Sequence, residues 1–591
     1  MHVIATAGHV DHGKTTLLRQ LTGMEPDRWE QERDRGMTID LGFAWTTLGT
    51  RTLAFIDVPG HERFVPNMLA GAGTAPAALF VVAADEGWQP QSDEHLAALH
   101  ALGVRHALLA ITRTDLADPT DAETRALQNL AATTLADPPV VQVSGRTGAG
   151  LPALRTALAE LTDSLPTPDT TGPVRLWIDR AFTIRGAGTV VTGTLTAGTL
   201  RTGDRLRLHP ADQDVVVRGL HTLGEPRTHV TATARVAVNL RGIPHRQVRR
   251  GHALLTEHGG HRSDLVDVRL PETTAADLPR HLVLHLGSAA VPVRIRPLGT
   301  RTARLSLAAP LPVRIGDRVL LRDPGGHHIH GADLLDVRPR PLHRRGAARD
   351  RARELDSIPT RPDGTTAPDG AAELRRRKLI RHHELRAMGA EPPADAPTAA
   401  GWLLDPAHRD TLAAHLVHLL HEHRHQHPLD AGMSLEAARR ALDLPDPALL
   451  EPLLRTPTAR DVHRADGRLR LGTAPWPPEV AAALHALHDT LRADPFTAPT
   501  ADELHDLGLG PAALAAAARA GELLRLAPGI VLAAGADQHA CDVLATLPQP
   551  FTPADARRAL RTTRRVALPL LELLARDGRT ERLPDGTHRL R

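Results

Sequence analysis

The stretch Gly8–Thr16, GHVDHGKTT, decides how the rest of the chain is read. It fits G-x-x-x-x-G-K-[ST], follows the apolar run HVIATAG and opens TLLRQLTG, which reads as a helix start. A glycine-rich turn between strand and helix brings backbone N–H groups together at a helix N-terminus, where they cradle phosphate. Gly8 and Gly13 supply the backbone freedom, Lys14 neutralises charge on the β- and γ-phosphates, and Thr15 offers a hydroxyl to Mg2+. Residues Gly8, His9, Val10, Asp11, His12, Gly13, Lys14, Thr15 and Thr16 are therefore expected to hold a nucleotide.

Outward from this loop, the apolar runs TLAFID, AALFVVAA, HALLAI and VVQVS alternate with helix-like segments such as QSDEHLAALHALG, as far as about Pro166. The alternation predicts a parallel sheet with helices on both faces, an α/β P-loop domain over 1–170. DVPGH, Asp57–His61, ends the run TLAFID and places Asp57 near the metal and Gly60 where its amide can meet a γ-phosphate. After HALLAI the chain reads ITRTDLAD, where a parallel α/β sheet puts a nucleotide base. A guanine site would carry Asn-Lys-x-Asp there; this chain carries Thr112-Arg113-Thr114-Asp115. The Asp115 carboxylate can accept both N1–H and the 2-amino group of guanine, a pair adenine lacks. Thr112 can donate one hydroxyl bond but cannot copy both contacts of an asparagine. Arg113 can lay its stem or its guanidinium plane on the base.

With 591 residues the chain has room for roughly four domains. No run of about 18 apolar residues is free of charge or proline, so no membrane span is expected. No export signal is legible at the N-terminus, and the one cysteine, Cys541, fits a reducing cytoplasm. Net charge is only +3, but residues 551–591 hold ten arginines against five acidic residues. That end is a candidate nucleic-acid surface.

Beyond the PTPDTTGP linker the texture turns to short strands with glycine turns, TVVTGTLTAGTLRTGDRLRLHP and ARLSLAAPLPVRIGDRVLLRDPGG. Two β-barrel domains are expected, over 171–258 and 259–340, joined near EHGGHR. Over 341–591 the chain becomes helical. MSLEAARRALDLPDPALLEPLLR, PTADELHDLGLGPAALAAAARAGELLRL and TPADARRALRTTRRVALPLLELLARDGRTERL each read as short helix, turn, longer helix and strand-like tail. That order suits tandem winged helices, all-α/α+β in class, with a weaker copy over roughly 370–427 and the last unit at about 536–591. A generic helical bundle is the alternative, disfavoured by RTERLPDGTHRLR, in which PDG is a hairpin turn. The histidines of HLVHLLHEHRHQH, His415–His427, have spacings that could suit Zn2+, but the segment reads equally as an amphipathic helix.

GHVDHGKTT, RGMTID, DVPGH and DEGWQPQSDEHL together resemble the GTPase domain of translation factors of the elongation factor Tu type. The resemblance implies GTP and Mg2+ as ligands, with Thr38 of RGMTID completing the metal shell when γ-phosphate is present and Asp57 in the outer shell. It implies that His61 orients the attacking water once the ribosome positions it, behind an apolar gate of Val10 and Ile39. It also places Ser144 and Gly145 of VSGRTG against guanine O6.

DRAFTIRGAGTVVTGTLTAG, RVAVNLRGI and RRGHALL resemble the second domain of these factors, most closely that of the selenocysteine-specific elongation factors. Carried over, the resemblance gives an aminoacyl pocket of Arg180 and Arg235 with Asp179 orienting the arginine. Selenol chemistry supports it, since a selenol is ionised at neutral pH and a serine hydroxyl is not. Factors of this family in bacteria end in four winged helices, the last gripping an mRNA hairpin, the SECIS element. Arg557, Arg558, Arg561, Arg564 and Arg565 are the residues expected to do so here. The implied partners are selenocysteinyl-tRNA, the ribosome and the hairpin, for a cytoplasmic monomer that delivers its cargo at UGA codons. The alternatives are a general tRNA-carrying or initiation-type GTPase, and a GTPase joined to a DNA-binding winged-helix regulator.

Overall fold

Seven consecutive buried residues, AALFVVA at Ala77–Ala83, form a strand that only a sheet covered on both faces can accommodate. The structure, a computed structural model, describes all residues except 27–39, 62–63, 187, 326–327, 362–363, 431 and 473–475. Ala77–Ala83 (β4) lies inside a six-stranded sheet with β1 (His2–Ala7), β2 (Gly42–Leu48), β3 (Arg51–Asp57), β5 (His106–Thr112) and β6 (Val140–Gln142), in the order β2-β3-β1-β4-β5-β6. Only the β2–β3 pair is antiparallel. Helices α1 (Lys14–Thr22) and α5 (Leu151–Ser164) cover one face through Leu17, Leu18, Leu154 and Leu158. On the other face lie α2 (Val65–Ala72), α3 (Pro90–Ala101) and α4 (Thr120–Leu130), through Met68, Leu69, Leu99 and Ala126. All three sequence signatures of the nucleotide site therefore fall at the carboxyl ends of parallel strands, β1, β3 and β5.

In the second domain, β7 (Arg175–Trp177), β8 (Arg180–Ile184), β9 (Gly188–Leu195), β11 (Arg205–His209), β12 (Gln213–Thr222), β13 (Glu225–Arg227), β15 (Ala234–Arg241) and β16 (Ala253–Leu255) form one eight-stranded sheet. The short pair β10 (Thr199–Arg201) and β14 (His229–Thr231) stands beside it. Its inner face is one valine- and leucine-rich core, with Val191, Leu206, Val217 and Val238. The third domain closes fully into a barrel of β17 (His261–Arg269), β18 (His281–Leu286), β19 (Ala289–Pro297), β20 (Thr302–Val313), β21 (Arg318–Arg322) and β22 (Ile329–Asp336). This barrel rests on α3, where Arg318 Nε donates to the carbonyl of Ala101 at 2.7 Å and His100 lies 3.0 Å from Glu272.

The chain forms two compact units, Met1–Glu373 with Arg381–Pro393, and Leu374–Ile380 with Ala394–Arg591. The first unit thus continues well past the boundary expected at 340. Helix α6 (Ala347–Asp356) docks on the third barrel through Arg351, which bonds Asp267 at 2.8 Å and also Asp336. Helix His382–Ala387 follows suit, with Arg338 paired to Glu384 at 2.7 Å. The weak winged-helix copy expected over 370–427 is accordingly divided between the units.

Within the second unit the three expected repeats stand as three-helix units with a hairpin. The last has helices Ala536–Leu544, Pro553–Ala559 and Arg564–Arg576 and strands Thr580–Arg582 and His588–Leu590. The one before it has Pro478–Ala493, Ala501–Asp506 and Pro511–Arg519 with strands Leu523–Ala527 and Ile530–Ala533. Capping boxes start the middle helices, Thr500 with Glu503 and Thr552 with Asp555. These two units share one apolar core. Among the described residues no helix is long and apolar enough to cross a membrane.

Candidate functional site

The loop between β1 and α1 turns because Gly8 and Gly13 adopt φ of +124° and +83°. A Cβ on Gly8 would lie 2.1 Å from the carbonyl oxygen of Val81, so no other residue fits there. The loop amides are braced from α3: Gln91 Oε1 accepts from Val10 N at 3.0 Å, and His95 Nδ1 from Gly8 N at 3.1 Å. Both residues belong to QPQSDEHL, which was legible as a motif but not as a brace for the loop. Burial holds His95 neutral, with its pKa pushed down to about 3, and it pushes that of His12 down to about 4. His12 Nδ1 faces the Val81 carbonyl at 3.3 Å, and the His9 ring lies 5.1 Å from that of His12.

Lys14 Nζ donates to the carbonyls of Gly8 at 2.9 Å and His9 at 2.6 Å, and its burial lowers its pKa to about 8. Thr15 Oγ1 donates to Asp57 Oδ2 at 2.7 Å, while Thr6 Oγ1 donates to Asp57 Oδ1 at 2.8 Å. This hydroxyl–carboxylate pair is a hard-oxygen set of the kind Mg2+ takes. Gly60 packs so tightly against the phosphate loop that a Cβ would lie 2.7 Å from both Lys14 Nζ and the backbone N of Val10. His61 follows Gly60 with its ring 5.9 Å from that of Phe64, and it is not among the residues lining the adjoining cavity. Thr38 and Ile39 lie outside the described residues.

That cavity, of about 420 Å3, is lined by Val10, Asp11, Gly13, Lys14, Thr15, Thr16, Gly60, Thr112, Arg113, Asp115 and Gly145 from the expected set. Leu17, Leu116 and Arg146 also line it, and sequence reasoning missed them. At its base end the Thr112 hydroxyl donates to the His12 carbonyl at 2.7 Å, fastening the base loop to the phosphate loop. Ser144 Oγ donates to Asp115 Oδ1 at 2.7 Å and holds that carboxyl below the usual carboxylate range, so it is ionised and ready to accept. The Arg113 guanidinium bonds Asp85 at 2.9 Å, Glu86 at 2.7 Å and the Asp11 carbonyl. Its head is thereby committed to the protein.

The arginine pocket lies where the second domain faces β2. Arg235 forms a two-pronged ion pair with Asp179, with one Nη–Oδ bond at 2.7 Å, and Thr192 donates to the same carboxylate at 2.7 Å. Phe43 of β2 supplies the floor, with the Arg235 guanidinium 3.8 Å and that of Arg180 4.9 Å from its ring centre. Arg180 also donates to the Leu41 carbonyl and lies 3.2 Å from Asp40. Burial works against the Asp40 charge, but Arg180 and Arg250 outweigh it and lower the pKa of that carboxyl. Arg180, Arg235, Phe43, Trp45, Thr192 and His221 share a cavity of about 220 Å3. The aromatic contribution from another domain left no mark in the local sequence.

In the last winged unit Arg557, Arg561 and Arg564 are exposed around the helix-turn-helix junction, and Arg558 pairs with Asp555 at 2.6 Å. Arg565 is occupied differently: it bonds the carbonyls of Ala498 at 2.9 Å and Pro499 at 2.5 Å in the preceding unit. His415–His427 runs along helix Pro406–Gln426 into its C-cap, with Leu416 and Leu420 buried. No three His, Cys, Asp or Glu side chains gather as metal ligands among the described residues.

Family models match three parts of the chain: the elongation factor Tu GTP-binding domain at residues 1–164, elongation factor Tu domain 2 at 188–255, and the winged helix of elongation factor SelB at 542–589. The chain is 33% identical over 380 residues to elongation factor Tu 2 of Streptomyces avermitilis, covering 56% of this chain and 96% of that protein. It is 38% identical over 336 residues to the selenocysteine-specific elongation factor of Desulfomicrobium baculatum, covering 54% and 53% of the two. The match thus spans about half the length of such relatives. A crystal structure of a bacterial selenocysteine-specific elongation factor, EF-Sec, shares the fold over 100% of both chains at a TM-score of 0.74 and 24% identity.

Proposed function

The chain belongs to the elongation factor Tu family of translational GTPases, and we propose that it carries selenocysteinyl-tRNA to the ribosome at a UGA codon marked by an mRNA hairpin. The observation that carries this reading is the convergence of Arg180 and Arg235 on one small cavity, with Arg235 fixed by Asp179. Two guanidinium forks, their charge partly offset by Asp179 and Asp40, present N–H donors in a partly desolvated site and favour an ionised side chain over a neutral one of similar size. Selenocysteine is ionised at neutral pH, whereas serine, its oxygen counterpart, is not. Phe43 adds a polarisable wall that a soft selenium atom contacts well.

At the nucleotide site, Lys14 and the loop amides bind phosphate, Asp115 reads the guanine edge, and Thr112 and Arg113 keep the two loops in register. Thr15 and, through water, Asp57 would hold Mg2+, joined by Thr38. When bound, that metal would neutralise developing phosphate charge. His61, beside Gly60, is the residue proposed to orient the attacking water. The exposed arginines 557, 561 and 564 suit the phosphates and unstacked bases of an RNA hairpin. This work belongs to the cytoplasm, where the ribosome and the charged tRNA are found.

The test is direct. Binding of selenocysteinyl-tRNA, and of the same tRNA carrying serine, is measured in the presence of a non-hydrolysable GTP analogue. The proposal expects strong preference for the selenocysteine form, lost in the Arg180→Ala/Arg235→Ala double variant. Equal binding of the two would leave a translational GTPase with a different cargo.

A further inference from the structure

We propose that Arg250 is a positioning residue that transmits the state of the nucleotide site to the arginine pocket. The link ends at the pocket of the proposed function, but its bonds hold whatever the cargo is. Arg250 lies in the turn before β16 and is absent from the lining of both cavities. Each prong of its guanidinium nevertheless ends on a different functional segment. Nε donates to the backbone carbonyl of Asp179 at 2.9 Å, Nη1 to Asn67 Oδ1 at 2.5 Å, and Nη2 to Asp40 Oδ1 at 2.6 Å.

These three acceptors are chemically placed. Asp179 grips Arg235 through its side chain, so a shift of its backbone moves the pocket's guanidinium. Asn67 sits on α2, the helix that follows the DVPGH turn beside Lys14. Asp40 leads into β2, close to Phe43 under the pocket, and its second oxygen is 3.2 Å from Arg180. One guanidinium therefore joins Asp179, just before β8 of the pocket, to two segments beside the nucleotide site: α2, and the start of β2, whose Gly42 pairs with Asp57.

A guanidinium is planar, so its donors keep fixed directions. If either Asn67 or Asp40 moves when the nucleotide changes, the fork cannot satisfy all three acceptors without moving Asp179 as well. The side chain is 30% exposed, which leaves the bonds sheltered enough to be specific yet reversible. A contiguous physical link of this kind couples two sites in both directions.

The experiment is hydrogen exchange of the full chain, read by mass spectrometry, with a non-hydrolysable GTP analogue and with GDP. The wild-type protein is expected to show nucleotide-dependent exchange at residues 178–192, differing about fivefold or more between the two nucleotides, the low end of ordinary coupling. Arg250→Ala is expected to lose that difference while peptides of the 8–16 loop remain protected by nucleotide. Arg250→Lys keeps the charge but not the fork and is expected to stay uncoupled, which separates geometry from electrostatics. Retention of the difference in Arg250→Ala, or its absence in the wild type, would overturn the proposal. Failure of selenocysteine selectivity in the cargo experiment would remove the proposed function and leave this coupling result standing.

Discussion

At the scale of single residues, the two positions that depart from Asn-Lys-x-Asp both bond across to the phosphate loop. Thr112 reaches the phosphate loop with one hydroxyl, and Arg113 reaches it with a guanidinium that Asp85 and Glu86 keep in place. Those carboxylates are about one-third exposed, so each ion pair contributes about 0.7 kcal/mol after screening. The double variant Asp85→Asn/Glu86→Gln is therefore expected to weaken GDP binding, by about tenfold at most, measured by displacement of a fluorescent GDP analogue. Unchanged affinity would mean that the Arg113 stem needs no anchor. Thr112, Arg113 and Asp115 were legible from their place after a strand, but Asp85 and Glu86 were not, because their role depends on a partner 27 or 28 residues away. A second residue-scale effect concerns His285, whose burial, aided by Arg322, pushes its pKa down to about 4. Unfolded, it titrates near 6.5, so between about 6.5 and 4 only the unfolded chain binds the proton. Stability of the first unit should fall with decreasing pH across that window, by up to about 1.4 kcal/mol per pH unit from this histidine. His285→Leu should flatten the pH dependence of the unfolding midpoint by that amount, and an unaltered slope would assign the acid sensitivity elsewhere.

Elements show why some boundaries were readable and others were not. Strand runs such as AALFVVA announce a doubly covered sheet by composition alone, and the winged units announce themselves by repetition. Helix α6 carries no such signal, since ARDRARELD is mostly charged and its docking rests on ionic contacts. Arg351 and Arg304 together enclose Asp267, which is fully buried, and Arg351 also meets Asp336 and Glu354. Removing one member of such a network leaves buried charge without its partner. Arg351→Ala is thus expected to cost about 3–5 kcal/mol, seen as a lowered unfolding midpoint of the first unit. Arg351→Met, which keeps packing volume, should recover little of it, because the loss is electrostatic. Recovery to wild-type stability would show that α6 is held by its stem contacts instead.

Across the whole molecule, the nucleotide and arginine sites share one compact unit while the arginine-rich winged helix belongs to the other. For the proposed function such a division would suit a tether: with the second unit bound to an mRNA hairpin, the first would meet the nearby codon at an effective concentration set by the connection instead of by the bulk. The arginines of the last unit divide by role. Arg557, Arg561 and Arg564 are exposed at the junction, whereas Arg565 bonds Ala498 and Pro499 and is spent on cohesion between units. The sequence placed all of them on one helix-turn-helix but could not separate them, because the carbonyls that claim Arg565 lie 66 and 67 residues earlier. The triple variant Arg557→Ala/Arg561→Ala/Arg564→Ala should therefore weaken hairpin binding and reduce its salt dependence by about one unit of slope for each phosphate left unneutralised. It should leave GTP and cargo affinity unchanged. In a translation assay it should also remove the advantage of a hairpin in cis over the same hairpin added in trans, an advantage of about a hundredfold for an effective linkage. Arg565→Ala should instead lower the unfolding midpoint of the second unit. If the triple variant kept the cis advantage, the last winged helix would not be the point of attachment, and the tether would have to act through another surface of the second unit.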